Sequence, residues 1–270
     1  MRRGFVEAGD GEIHYRTAGR GGPAPLVMIH AAPGASLTMT RIITTLGQGR
    51  AVYALDAPGM GESDALPEGS DAGAFADAML DALHNLGLDR FDLYGILSGA
   101  PIAAEMALRA GGKVRRLILD RIILLGEDAR REWLAKYAPS VPIDRYGSQI
   151  HFTWNFVRDE FCFFPWYELN APNRTVRTLP SAEAMHDKTV EMLKAIRSYH
   201  IFIRAGLGYP GQQRLPGLTM PTLANMDAAA LIPGARVKET RAIPDDSFET
   251  PEDVAATCAE IAGFLDQHPA

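Results

Sequence analysis

Cysteine is scarce in this chain: 270 residues carry two, Cys162 and Cys258, far apart and in neither a C-x-x-C nor a Cys/His ligand spacing. That usage excludes a disulfide-stapled scaffold and a zinc cluster, so no metal is expected, and it points to a reducing cytoplasm with both thiols buried. Long apolar runs are missing too. No stretch reaches the ~20 residues that cross a bilayer, and the start Met1-Arg2-Arg3-Gly4-Phe5-Val6-Glu7 turns polar before any run of signal-peptide length, so no membrane partner is expected. Positive charge is short as well. Lys and Arg number 27 against 33 Asp and Glu, a net charge of −6, and no basic cluster exceeds a pair. An acidic chain repels phosphate polyanions, which excludes nucleic acid as a partner.

What is there is an ordinary globular composition, 47% hydrophobic and 22% charged, long enough for one large α/β domain with a modest insertion. Alternation over residues 4–7 and 13–17, around Gly9-Asp10-Gly11, predicts a hairpin at a sheet edge. The continuous apolar runs 26–29 and 51–55 predict strands buried on both faces, as in a parallel sheet covered by helices. Helical periodicity over 74–86, a strand at 91–94, a helix from Ala100 and a strand at 116–120 continue the alternation of a doubly wound, mostly parallel sheet. From Gly126 the pattern becomes helical and aromatic, read as a cap inserted over the carboxyl ends of the strands. The core resumes at 221–227, with a strand at 236–243 and an amphipathic helix at 251–265. The expected organisation is an α/β core of residues 1–125 and 216–270 with a helical cap at 126–215.

Between the strand at 91–94 and its helix stands Gly95-Ile96-Leu97-Ser98-Gly99. A G-x-nucleophile-x-G pattern at a strand–turn–helix junction lifts its central side chain above the sheet to attack a carbonyl. The central residue here is Leu97, which has no lone pair to attack with. Covalent catalysis of the usual kind is therefore missing or relocated.

Four segments resemble the α/β-hydrolase superfamily. His30-Ala31-Ala32-Pro33-Gly34 is similar to its oxyanion loop H-G-x-P-G, and Asp56-Ala57-Pro58-Gly59-Met60-Gly61-Glu62-Ser63 to its D-x-P-G-x-G-x-S loop. Gly95 to Gly99 resembles its nucleophile elbow, and Pro221-Thr222-Leu223 the strand that delivers its catalytic acid. The resemblance spans nearly the whole chain and implies a capped α/β-hydrolase fold. In the cap, Gly147-Ser148-Gln149-Ile150, Trp154, Arg158-Asp159 and Pro165-Trp166-Tyr167 are similar to the G-x-H-L, W, R-D and P-W-Y of one subset, whose elbow reads G-x-H-T-G-A. The family's triad runs Ser, Asp, His along the chain. On that order Leu97 replaces the serine, Asp227 takes the place of the acid, and Ser247, before Phe248, stands where the histidine would be. The only later histidine is His268.

Several residues keep two readings. Ser98 is either a displaced nucleophile or the residue that starts the next helix. His30 and Asp56 either take part in chemistry or order their loops. Asp120, at the carboxyl end of its strand, is either a general base with a pKa raised under the cap or the partner of a cation such as Arg121 or Arg158. Asp227 carries the same ambiguity, whereas Asp245 and Asp246 read as a solvated loop. For ligand binding, Ala31 belongs to the oxyanion loop and Leu97 forms an apolar floor. Trp154 and Trp166 offer aromatic walls, with Arg158, Tyr199 and His200 as the few polar groups that orient a ligand in an apolar pocket.

These readings predict a non-hydrolytic enzyme of the proton-transfer type, a lyase, isomerase, epimerase or tailoring enzyme. It would act without a cofactor on a small, partly apolar molecule or short peptide, as a monomer or homodimer. Two alternatives stay open: a ligand-binding protein without turnover, and a hydrolase that uses Ser98 or an activated water.

Overall fold

The computed structural model describes residues 1–175, 179–239 and 250–267. Among these residues one eight-stranded sheet runs through the molecule in the order β1-β2-β4-β3-β5-β6-β7-β8. Strands β1 (Arg2–Ala8) and β2 (Gly11–Ala18) form the expected edge hairpin, and β2 also lies antiparallel to β4 (Val52–Leu55). From β4 onward the pairs are parallel, through β3 (Leu26–Ile29), β5 (Phe91–Ile96), β6 (Val114–Asp120), β7 (Thr222–Ala224) and β8 (Arg236–Val237). The last of these is shorter than the strand expected over 236–243, and positions 240–249 lie outside the described residues.

The period of two along each strand builds two cores. Val27 and Ile29 of β3, with Leu117 and Leu119 of β6, face one side; Leu26, Met28 and Ile118 face the other. The first side is covered by α2 (Ala72–Asn85) and α3 (Gly99–Arg109). The second is covered by α1 (Thr40–Leu46) and α10 (Pro251–Leu265), whose Ile42, Ile43, Val254 and Ile261 fill the space. Burial on both faces explains why the central strands read as unbroken apolar runs. Helix starts follow local chemistry: Asp71 accepts from the Ala74 N–H at 3.0 Å to cap α2, and Thr250 caps α10 just before Pro251.

Between β6 and β7 lie the cap helices α4 (Glu127–Lys136), α5 (Ser148–Cys162), α6 (Ala182–Lys194) and α7 (Tyr199–Leu207), followed by the short α8 (Gly211–Arg214). A further short helix, α9 (Met226–Ala229), follows β7. The cap has its own aromatic core, in which Trp166 packs against Phe152 and Phe156, and Phe156 against Tyr199. Of the two thiols, Cys258 is buried, with its pKa pushed up to about 11 by burial, while Cys162 is only half-buried. No described helix is long and apolar enough to cross a membrane.

Candidate functional site

The turn from β5 to α3 is built by exclusion of side chains. A Cβ on Gly95 would come within 2.6 Å of Ala103 Cβ, and one on Gly99 within 2.4 Å of the His30 carbonyl oxygen, so both positions admit only glycine. Neither glycine carries the unusual backbone angle. That falls on Leu97, at φ +49°, where an L side chain pays about 1 kcal/mol or more. The turn therefore has the geometry that presents a nucleophile, and it presents a leucine.

Leu97 lies on the floor of a cavity of about 620 Å³ between the sheet edge and the cap. Ala31, Ser98 and Asp227, all anticipated, line it too. The Ser98 Oγ accepts the Ala32 N–H at 2.8 Å, which takes up an amide of the oxyanion loop. Asp227 stands at the start of α9, exposed, beside the half-buried Asn225, whose side-chain amide donates to the Ile122 carbonyl at 3.3 Å. No described histidine lines the cavity.

Four anticipated residues are turned elsewhere. Asp120 shares its side of β6 with Ile118 and points toward α10. It accepts the Tyr94 hydroxyl at 2.8 Å and sits 3.4 Å from the buried Lys238 Nζ, a nearer charge than the anticipated Arg121, which also acts on it. Burial raises its pKa, against the opposing pull of Lys238 and the Tyr94 hydrogen bond, yet it does not line the cavity. His30 is buried with both ring nitrogens engaged. The Ala57 N–H can only donate, so Nε2 accepts it at 2.9 Å and Nδ1 holds the proton, donated to the Ala31 carbonyl at 2.8 Å. Trp154, 46% exposed, and Arg158 lie on the outer face of α5, where Arg158 pairs with Asp159 at 2.7 Å.

The other three anticipated binding residues do not line the cavity either. Trp166 donates its indole N–H to the Tyr137 carbonyl at 2.9 Å, and Tyr199 is fully buried with its hydroxyl on the Pro139 carbonyl. His200 places Nε2 2.8 Å from Glu68 Oε2, away from the cavity. Asp56 orders its loop: its oxygens take His14 Nδ1 at 2.8 Å and the Ser36 and Glu62 N–H groups at 2.7 and 3.1 Å. Burial would raise this carboxyl, but the hydrogen bonds from His14 and Ser36 and the nearby His30 outweigh it and hold the pKa at about 2. Asp245, Asp246, Ser247 and His268 lie outside the described residues.

Sequence reasoning missed most of the wall. Trp133 and Tyr137, stacked at 5.0 Å, and Phe164, edge-on to Trp133, form its aromatic side. Two charged groups of the cap also reach it, Lys188, 2% exposed, and Glu160, 3.2 Å apart. From the core comes Arg121, the residue after β6, at φ +55°. The helical phase of α5 held the missing signal: Ile150, Trp154 and Arg158 recur every four residues on one face, and Phe152 and Phe156 on another.

Residues 24–150 match the family model described as alpha/beta hydrolase fold. Across nearly the whole chain the structure is similar to an enol-lactonase from Burkholderia xenovorans LB400, at TM-score 0.73 and 16% identity, covering 98% of this chain and 100% of that one. It is similar to a thermophilic esterase from Thermogutta terrifontis at TM-score 0.69 and 19% identity, covering 98% of each. Epoxide hydrolase A from Mycobacterium thermoresistibile matches at TM-score 0.70 and 15% identity, covering 97% of this chain and 98% of that one. At these identities the likeness is one of fold. The sheet order, the turn after β5, the helical cap and these matches agree, and the chain has the α/β-hydrolase fold.

Proposed function

We propose that this protein is a non-hydrolytic enzyme of the proton-transfer type, a lyase, isomerase or tailoring enzyme, which holds a small, partly apolar organic substrate without a covalent bond. The observation that carries this reading is Leu97 at the apex of an otherwise complete elbow. Acyl transfer through a serine needs an imidazole beside it, and no described histidine lines the cavity. Proton transfer needs neither. Asp227 is the base assigned here, since it brings a carboxylate to the cavity directly after the sheet. The Ser98 hydroxyl, its oxygen already accepting the Ala32 N–H, is polarised to donate to a substrate oxygen that gains charge. The solved relatives are an enol-lactonase, an esterase and an epoxide hydrolase, which favours hydrolysis on fold alone, but chemistry follows the site and not the fold.

A second reading, a binding protein without turnover, is favoured by the same Ser98 contact, because it withdraws an oxyanion-loop amide from catalysis. Two experiments separate the readings. Treatment with a fluorophosphonate, read by intact mass, is expected to leave the protein unmodified; a stoichiometric adduct at Ser98 would sink the non-covalent mechanism. Deuterium exchange at the acidic C–H of a panel of carbonyl compounds is expected with the wild type and lost in Asp227→Asn. Binding of those compounds with no exchange by the wild type selects the binding protein.

A further inference from the structure

β1 is one margin of the sheet: among the described residues its only strand partner is β2, so a row of its backbone N–H and C=O groups faces outward. The hairpin settles which groups those are. Its two-residue turn, Gly9 and Asp10 with Gly9 at φ +58°, closes on Ala8 and Gly11, and a turn of that length closes on a hydrogen-bonded pair. Hydrogen-bonded and non-hydrogen-bonded pairs then alternate, which turns the backbone groups of Arg3, Phe5 and Glu7 away from β2. Two contacts agree. The Glu7 carbonyl accepts the Asn85 side-chain amide at 2.9 Å from outside the ladder, and the Phe5 ring lies 5.1 Å from that of His14, its partner in a closely spaced pair.

The same three residues share a face. Arg3, Phe5 and Glu7 are exposed while Val6 is buried, and Phe5, 54% exposed, is a large apolar side chain left in solvent. The residues opposite them on β2 repeat the charges: Arg3 faces Arg16, and Glu7 faces Glu12. Like charges directly opposite one another are unfavourable in a sheet. This face therefore carries a positive pair at one end, a negative pair at the other and an exposed phenyl between them. A two-fold axis through Phe5 answers all three features. It lays a second β1 antiparallel to the first, with Phe5 against Phe5 and each Arg3 against the partner's Glu7. Every pair in that register joins residues whose backbone groups point outward, so the ladder continues without a slip. The Glu7 carbonyl keeps a second lone pair for the incoming Arg3 N–H. We infer that a second copy of this chain docks on β1, making an isologous dimer with one sheet running through both protomers. None of these residues lines the cavity, so the inference stands apart from the proposed chemistry.

Sedimentation velocity of the full chain over a concentration series gives the test. The wild type should shift toward twice the chain's mass as concentration rises, and less so at high salt. Arg3→Glu sets negative charges against each other across the new ladder, and Glu7→Arg sets positive ones; each alone should weaken dimerisation about tenfold or more. Mixed one to one, the two variants meet with opposite charges at both ends and should dimerise as the wild type does. Both substituted positions are exposed, so the melting temperatures should change little. Recovery in the mixture is a readout that a merely destabilised strand would not give. A wild type that stays monomeric across the series overturns the inference and leaves the charges as guards of an exposed edge. A dimer that both single variants keep overturns it too, as does a mixture that stays monomeric.

Discussion

Restoring a hydroxyl at the apex, by Leu97→Ser, should not make an esterase, and the structure says by how much it should fall short. The substitution is compatible with folding. Leu97 is half-buried, so losing its apolar surface costs about 1 kcal/mol, and serine takes the same backbone angle at no greater strain. Chemistry is the obstacle. A positioned general base contributes about 10²–10⁴-fold, or about 3–5 kcal/mol of barrier, and no described histidine lines the cavity. A site stripped of its triad retains about 10³–10⁴-fold over water through its oxyanion donors and binding. Here the Ala32 N–H is taken by Ser98 Oγ, and losing one such donor costs about 10²–10³-fold. The variant should therefore hydrolyse p-nitrophenyl butyrate at no more than about a hundredfold over buffer, the upper end of the ratio of those estimates. Adding Ser98→Ala frees the Ala32 amide and should raise the rate further. A single variant with kcat/KM near ~10⁴ M⁻¹s⁻¹, the lower end for ordinary enzymes, would mean that an imidazole reaches the apex after all and would refute the reasoning.

Other outcomes follow from groups outside the cavity. Asp120→Asn should leave ligand binding and any proton exchange unchanged while altering stability by about 1–3 kcal/mol in denaturant titrations, because its contacts are Tyr94 and Lys238 under the sheet; loss of exchange with an unchanged melting temperature would return it to the active site. Asp56, held at about 2 against an ordinary 3.8, contributes about 2 kcal/mol that is complete above roughly pH 5 and disappears as pH falls through 2. The stability gap between wild type and Asp56→Asn should therefore close on acidification; a gap independent of pH would remove the carboxylate from the account. Gly99→Ala places a methyl 2.4 Å from the His30 carbonyl and should cost about 3 kcal/mol or more, whereas an unchanged melting temperature would show that the elbow can open.

The parts of this protein that sequence made legible are those set by local periodicity and by turns with steric demands. The apolar run of β3, the helix from Pro251 to Leu265 and the edge hairpin all follow from burial period and turn residues, and each appears where the pattern put it. Of the cavity lining, Leu97, Ser98 and Ala31 were legible through glycine and proline spacing, and Asp227 through its place after the strand at 221–223. Asp120 shows what a residue type and strand end leave undecided. Strand alternation already put it on the side of Ile118, facing α10, so the two-residue period carried more information than its position at the carboxyl edge. Trp154 shows the same for a helix, since its phase with Ile150 and Arg158 placed it outward whatever its aromatic character.

Arg121 is the instructive failure. Nothing in Leu119-Asp120-Arg121-Ile122 announces a left-handed residue, and an arginine beside an aspartate reads as an ion pair. The pleat of β6 already sends Asp120 and the next residue to opposite sides, and Arg121 lies at φ +55° next to the equally strained Leu97. The fold thus keeps two costly turns side by side although the nucleophile that justified one of them is absent. Glycine at position 121 would relieve the second at no steric cost, and a leucine can sit at an elbow only while the glycines around it are kept.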